Sequence, residues 1–343
     1  MIRTLLHVLV LSLAWGSHVH AEVKVSVLEF SNLPNWTSDA KSDALTAFLE
    51  TCPDLKSNDW TAICAVGQHT TDADTFFEAF FKPIKIETTD PSLLTGYFEP
   101  ELQASRAKTG RFVYPIYQKP PELPKRGRWL TRAEIEDSRV MENRGLEIAW
   151  LDDPVDLFFL QVQGSGRLRM QDGTIVRVGY AAKNGHKYRS VGKELVAQGQ
   201  GIYNEHQVSA SVIKNWVKRN PVDGRKLLQH NDSYVFFREI SNIPNHRGPK
   251  GAMNRSLFPM RSIAVDPAFI PLGAPVWMKM DGKEPLNRLM IAQDTGSVIK
   301  GAQRADIFVG SGPKAGKEAG RIKNSGSLYV LLPIKRALAL SRG

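Results

Sequence analysis

The C-terminal third constrains the fold of this chain most. Short apolar runs follow one another closely at Tyr234–Phe237, Ser262–Val265, Ala274–Met278, Arg288–Gln293, Asp306–Val309 and Leu328–Leu332, with turn residues and almost no helical spacing between them. Such a succession points to a compact barrel, because a layered α/β sheet would alternate its strands with helices. Upstream the pattern differs. Leu45, Phe48, Leu49 and Cys52 fall at i, i+3, i+4 and i+7, so Ser38–Thr51 reads as a helix. Thr71–Phe81 reads as a second, carrying Phe76, Phe77 and Phe80 and stopped by Pro83. Leu93–Phe98 and Phe112–Gln118 read as strands, and Thr131 with Glu134 forms a capping box that opens a short helix. Leu157–Val162 and Ile175–Val178 read as strands, and Ser190–Gln198 and Ser209–Arg219 as helices ended by Gly199 and Pro221. The class expected is mainly β with helical elements, α+β.

A chain of 343 residues exceeds what one hydrophobic core usually organises, so two domains are expected. The apolar run from Leu5 to Trp15 behind Arg3, ending at Val19-His20-Ala21, reads as a secretory leader cleaved after Ala21. That makes the protein periplasmic, and with no cysteine before Cys52 it offers no lipid-attachment site near the cleavage point. In an exported chain Cys52 and Cys64 are expected to form a disulfide. His69, His186, His206, His230 and His246 are scattered without ligand spacing, so no metal is expected. The formal charge of +10 suits a polyanionic partner, which for an exported protein means wall polymer or anionic lipid and not nucleic acid.

Three aspartates border the late strands. Asp294 ends the run Leu289–Ala292 and Gln293, Asp306 begins the run Ile307–Val309, and Asp266 follows Val265. A strand–loop–strand unit with a carboxylate at each end brings both to one rim of a sheet. Asp-Thr-Gly and Asp-Pro are also ordinary turn chemistry, in which the side chain bonds its own backbone. Asp306 has no Gly or Pro neighbour and sits against an apolar run, where desolvation raises a carboxyl pKa and suits a general acid. Gly310–Lys317 lacks the glycine and the hydroxyl of a phosphate loop, so no nucleotide is expected. Gln163-Gly164-Ser165-Gly166 is not a nucleophile elbow, since its serine is not central between two glycines spaced as that turn requires.

Leu94-Thr95-Gly96-Tyr97-Phe98-Glu99-Pro100, Phe159–Gly166, Tyr180–His186 running into Tyr188–Gly192, Ser233–Phe237, Ile263–Asp266 with Ile270–Gly273, and Ala292–Gly296 through Gly301 to Asp306 together resemble the lytic transglycosylase A family. The resemblance implies a double-psi β-barrel domain named for three aspartates, Asp266, Asp294 and Asp306, and a second, smaller inserted β-domain, with a groove between them. It divides the chain into a leader at 1–21, N-terminal helices and the first part of the barrel domain at 22–106, the insert at 107–231 and the barrel at 232–343. It implies non-hydrolytic cleavage of the β-1,4 bond between N-acetylmuramic acid and N-acetylglucosamine in peptidoglycan glycan strands, leaving a 1,6-anhydro end, with Asp306 as the single acid and base and Asp294 assisting. Gly96, Tyr97, Phe98, Gln163, Gly164, Ser165, Lys183, Asn184 and Asp266 are the substrate-binding residues it suggests, the glycines Gly96, Gly164 and Gly166 by letting backbone approach sugar. No cofactor is implied, and a monomer is expected. The alternatives are a glycan hydrolase on the same barrel using Asp306 and Asp294, and a non-catalytic wall-binding protein.

Overall fold

The computed structural model describes residues 23–199, 208–296 and 298–340, so the expected leader at 1–21 lies outside the described residues. Two sheets organise the chain. The larger has nine strands in the spatial order Lys24–Val27, Phe81–Glu87, Gly326–Pro333, Pro275–Met280, Leu286–Asp294, Ser262–Val265, Arg304–Ser311, Leu93–Glu99 and Lys323–Asn324. The smaller has six, in the order Tyr114–Tyr117, Glu147–Leu151, Glu101–Ser105, Ser165–Met170, Ile175–Lys183 and Val235–Ile240. The chain leaves the large sheet at Glu99 and enters the small one at Glu101, returning after Ile240. Residues 101–105 and 235–240 thus belong to the insert sheet, which reaches beyond the expected 107–231 on both sides.

The N-terminal helices close one face of the large sheet. Phe48, Phe76, Phe77 and Phe81 form one aromatic cluster with ring centroids 5.3–6.2 Å apart. Aromatic faces and edges at such separations add to the gain from burial. Asp39 is buried and accepts from both guanidinium nitrogens of Arg261, at 2.6 and 2.9 Å, and from the Leu289 amide at 2.9 Å. A buried carboxylate holds its charge only when so compensated, and this pairing fixes the N-terminal segment to the strands that lead to the acids. Cys52 and Cys64 are bonded and join the helix Ser42–Thr51, through the turn at Cys52–Asp54, to a helix Asn58–Gly67.

Two segments correct the sequence reading. Leu157–Val162 is not a strand but part of the helix Pro154–Gln163. Asp153 caps it by accepting from the Val155 and Asp156 amides, Pro154 occupies the first turn, and Gly164 closes it at φ 79°. An apolar run this rich in Phe and Val carries no periodicity to separate strand from buried helix, so only the caps identified it. The C-terminal third also holds two helices, Gly312–Ala319 and Ile334–Leu340, where almost none was expected. No helix among the described residues is long and apolar enough to cross a membrane.

Candidate active site

Strand register brings the two acids together. Ala264, in the short strand Ser262–Val265, pairs on one side with Asp294 and on the other with Asp306, and Asp306 pairs in turn with Thr95. Directly paired residues share a face, so Asp294, Ala264, Asp306 and Thr95 form one row across four strands, with the two acid backbones about 10 Å apart at two strand spacings. Tyr97, two residues after Thr95, stands on the same face, its ring 5.4 Å from that of Phe308.

Within the row the two carboxyls are held differently. Asp294 is saturated: Tyr97 donates its hydroxyl to Oδ2 at 2.8 Å, and the amides of Ala252 and Thr295 donate to Oδ1 at 2.9 Å each. Burial pushes its pKa above the ordinary aspartate value, against the pull of those three donors. Asp306 accepts one bond, from the Thr95 hydroxyl to Oδ1 at 2.6 Å, and its Oδ2 has no partner among the described residues. Burial raises its pKa as well; Thr95 and Arg304 pull it back, and the Asp294 charge adds to the rise. Tyr97 is held well above its usual range, first by burial and then by Asp294, so it remains a donor. Among the described residues the carboxyl with an unpartnered oxygen on this face is therefore that of Asp306, while both oxygens of Asp294 are engaged.

Asp266 performs another task. Its carboxyl accepts from the Ala268 amide at 3.2 Å and the Gly301 amide at 3.0 Å, with Lys300 at 3.6 Å. Burial alone would raise its pKa, but those amides and Lys300 leave it lowered, so it is an ionised clamp on the connection between the two acid strands.

A cleft of about 480 Å³ opens between the lobes, lined from the insert by Gln163, Gly164, Ser165 and Tyr180 and from the segment after Ile240 by Gly251 and Asn254. A larger cavity of about 840 Å³ lies within the insert, beside Arg132 and Lys214, and includes neither acid. Neither acid lines the smaller one either; we place the candidate site beside it because its wall residue Gly251 adjoins Ala252, whose amide donates to Asp294.

The remaining expected residues sort by strand face. Gly96 and Phe98 point away from the acids: a Cβ at Gly96 would lie 2.9 Å from the Ala319 backbone, and one at Gly316 would lie 2.9 Å from the Phe98 ring. Both let the helix Gly312–Ala319 pack on the strand, and neither meets a ligand on the acid face. Gly166 likewise accommodates Leu160, and Gly164 is a helix cap that also lines the cleft. Asn184 is buried and spends its amide on Leu130 O and Asp232 O, both at 2.8 Å, and on the Tyr234 amide at 2.9 Å, which leaves nothing for a ligand. Lys183 is exposed and lies outside the cleft lining. The sequence reading missed Thr95 and Ala252. Alternation from Tyr97 would have put Thr95 on the acid face, whereas nothing local marks Ala252, whose amide acts through the fold. No group of three potential metal-binding side chains occurs among the described residues.

Comparison with known proteins bears on what this site is. Residues 93–238 match the family described as MltA specific insert domain, and residues 261–332 match the 3D domain. Membrane-bound lytic murein transglycosylase A of Escherichia coli K12 is 38% identical over 248 residues, 69% of this chain and 64% of that protein. The protein of the same name from Vibrio cholerae is 35% identical over 251 residues, 70% of this chain and 65% of that one. The matched stretch thus spans less than two thirds of these relatives. A crystal structure of MltA from Neisseria gonorrhoeae superposes with a TM-score of 0.81 at 31% identity, covering 91% of this chain and 93% of that one. E. coli MltA with bound chitohexaose gives 0.67 at 30% identity, covering 90% and 94%.

Proposed function

The chain belongs to the MltA family, and from that premise we propose that it is a lytic transglycosylase that cleaves the β-1,4 bond between N-acetylmuramic acid and N-acetylglucosamine in peptidoglycan. The observation that carries the reading is the asymmetry of the acids: burial raises the pKa of both, but Asp294 accepts three hydrogen bonds, whereas Asp306 accepts one and its Oδ2 has no partner among the described residues. Asp306 enters protonated and gives its proton to the leaving glycosidic oxygen while positive charge grows at the anomeric carbon. The resulting carboxylate then takes the proton of the sugar's own 6-hydroxyl as that oxygen closes on the same carbon. One carboxyl suffices because the nucleophile is tethered, whereas hydrolysis needs a second carboxylate to manage water or bond the sugar. Asp294 stays ionised opposite the developing cation, and Tyr97 holds it in place.

In this reading the nine-stranded sheet is a double-psi barrel, and the glycan lies in the cleft with Gln163 and Ser165 along one wall. The bound hexasaccharide of the E. coli relative supports a saccharide-sized ligand for this fold. The protein acts as a monomer on the wall outside the cytoplasmic membrane, and its basic surface suits that polyanionic substrate. Replacing Asp306→Asn tests the assignment: chitohexaose binding should stay within about twofold while turnover of wall glycan falls by about 10³ or more, since an amide can neither lend nor recover the proton. Turnover retained in that variant contradicts the assignment.

A further inference from the structure

Ala252, which donates to Asp294, sits at the tip of a tight hairpin. Lys250 bridges Ser256, the Gly251 amide donates to Arg255 O at 3.0 Å, and Asn254 turns the chain at φ 56°. The same hairpin is a wall of the cleft through Lys250, Gly251 and Asn254. It leans closely on the acid strand, since a Cβ at Gly251 would lie 2.7 Å from Gln293 O and 3.3 Å from the Asp294 Cβ. The Met253 amide also donates to Gln293 O at 3.3 Å, and the Met253 side chain packs on the large-sheet core, so a shift of the tip moves a donor off Asp294 and reshapes the cleft together.

Two arginines anchor this hairpin; one reaches the end of the helix Ser42–Thr51 and the other the turn Cys52–Asp54 that follows it. Arg255 donates to Asp54 at 2.8 Å, and Arg247 donates to Glu50 while its guanidinium lies 2.9 Å from the Phe258 ring centroid. The Arg247 carbonyl also accepts from Arg177 of the insert, so this residue joins three parts of the molecule. Glu50 and Asp54 stand on either side of Cys52, whose bond to Cys64 closes the turn onto the next helix.

We propose that the segment Glu50–Asp54, the end of a helix and the turn that the Cys52–Cys64 disulfide ties to the next helix, is a clamp on the active-site hairpin, with Glu50, Asp54, Arg247 and Arg255 acting as positioning residues that hold the Ala252 amide against Asp294. The clamp deepens the transglycosylase reading and rests on it for its catalytic consequence, but not for its structure. The two ion pairs are partly exposed, and such pairs add little to overall stability. Their effect is local: they decide where a short hairpin sits, and small misplacements near a reacting group are costly.

The test is a cycle of four full-length proteins: the parent, C52A/C64A, E50Q/D54N, and the combination. Amide hydrogen exchange over residues 247–256 reads the clamp directly, and kcat/KM on wall glycan reads its consequence. Either pair of changes should raise exchange in that segment about tenfold and lower kcat/KM by about three- to tenfold, with exchange elsewhere in the large sheet unchanged. The combination should add little to either alone, because the cysteines act through the two acids. Exchange in the segment unchanged by E50Q/D54N overturns the proposal, as do effects of the two pairs that simply add. If C52A/C64A does not fold, E50Q/D54N, which keeps the disulfide, decides alone. Should the parent itself lack turnover, the transglycosylase reading fails while exchange still judges the clamp.

Discussion

The two sheets hold the residues proposed for function by different means. In the large sheet the acids are fixed by main-chain pairing, Asp306 on both sides, between Thr95 and Ala264, and Asp294 on one, beside Ala264. In the insert the cleft wall is made where elements end, at the helix cap Gly164 and the flanking Gln163 and Ser165. Register changes only in whole residues, and a slip of one turns every side chain to the other face, whereas an element end moves with its neighbours. The proposed reacting groups are therefore set by backbone geometry, and the proposed binding wall by side-chain and cap interactions.

Substitutions sharpen this contrast. Asp294→Asn leaves the row intact but removes the negative charge opposite the sugar cation; we expect turnover to fall by about 10²-fold with chitohexaose affinity little changed, as measured by steady-state kinetics and calorimetry. A loss equal to that of Asp306→Asn would mean that the two act as a pair. In the insert, Asn184→Ala strands three buried backbone groups, so we expect a cost of about 2–3 kcal/mol in denaturant unfolding, with activity per folded molecule retained. A loss of turnover in the folded fraction would show that the insert does more than form a wall. The smallest change is Thr95→Val. Thr95 donates to Asp306 and lowers its pKa, so removing the donor lets that pKa rise further. With Asp306 working protonated, as proposed, activity is present below its pKa and is lost as pH rises through it. The alkaline limb of the pH profile should then move to higher pH, by less than about one unit. Movement in the opposite direction would assign that limb to another group.

The same contrast explains what could be read from the sequence. Strands of the large sheet were legible because their short apolar runs alternate with turn residues, and Ser262–Val265 is found with the expected bounds. Asp306 stood out because it lacked the neighbours of a turn aspartate, and it is half-buried beside its apolar run. The insert was less legible. Phe158 and Leu160 face a core from a helix, and without a periodic polar face that helix looked like a strand. Asn184 lay within a polar motif that suggested a ligand, yet its burial depends on Leu130, Asp232 and Tyr234, which are distant in sequence. The donor from Ala252 is a backbone group and leaves no trace in residue type.

The most direct measurement is digestion of purified wall glycan in oxygen-18-enriched water, with mass analysis of the released saccharides. Intramolecular attack by the 6-hydroxyl predicts products one water lighter than hydrolysis would give and free of the heavy isotope. Heavy oxygen at the newly formed muramic acid terminus would mean that water, and not the sugar's own hydroxyl, had been the nucleophile.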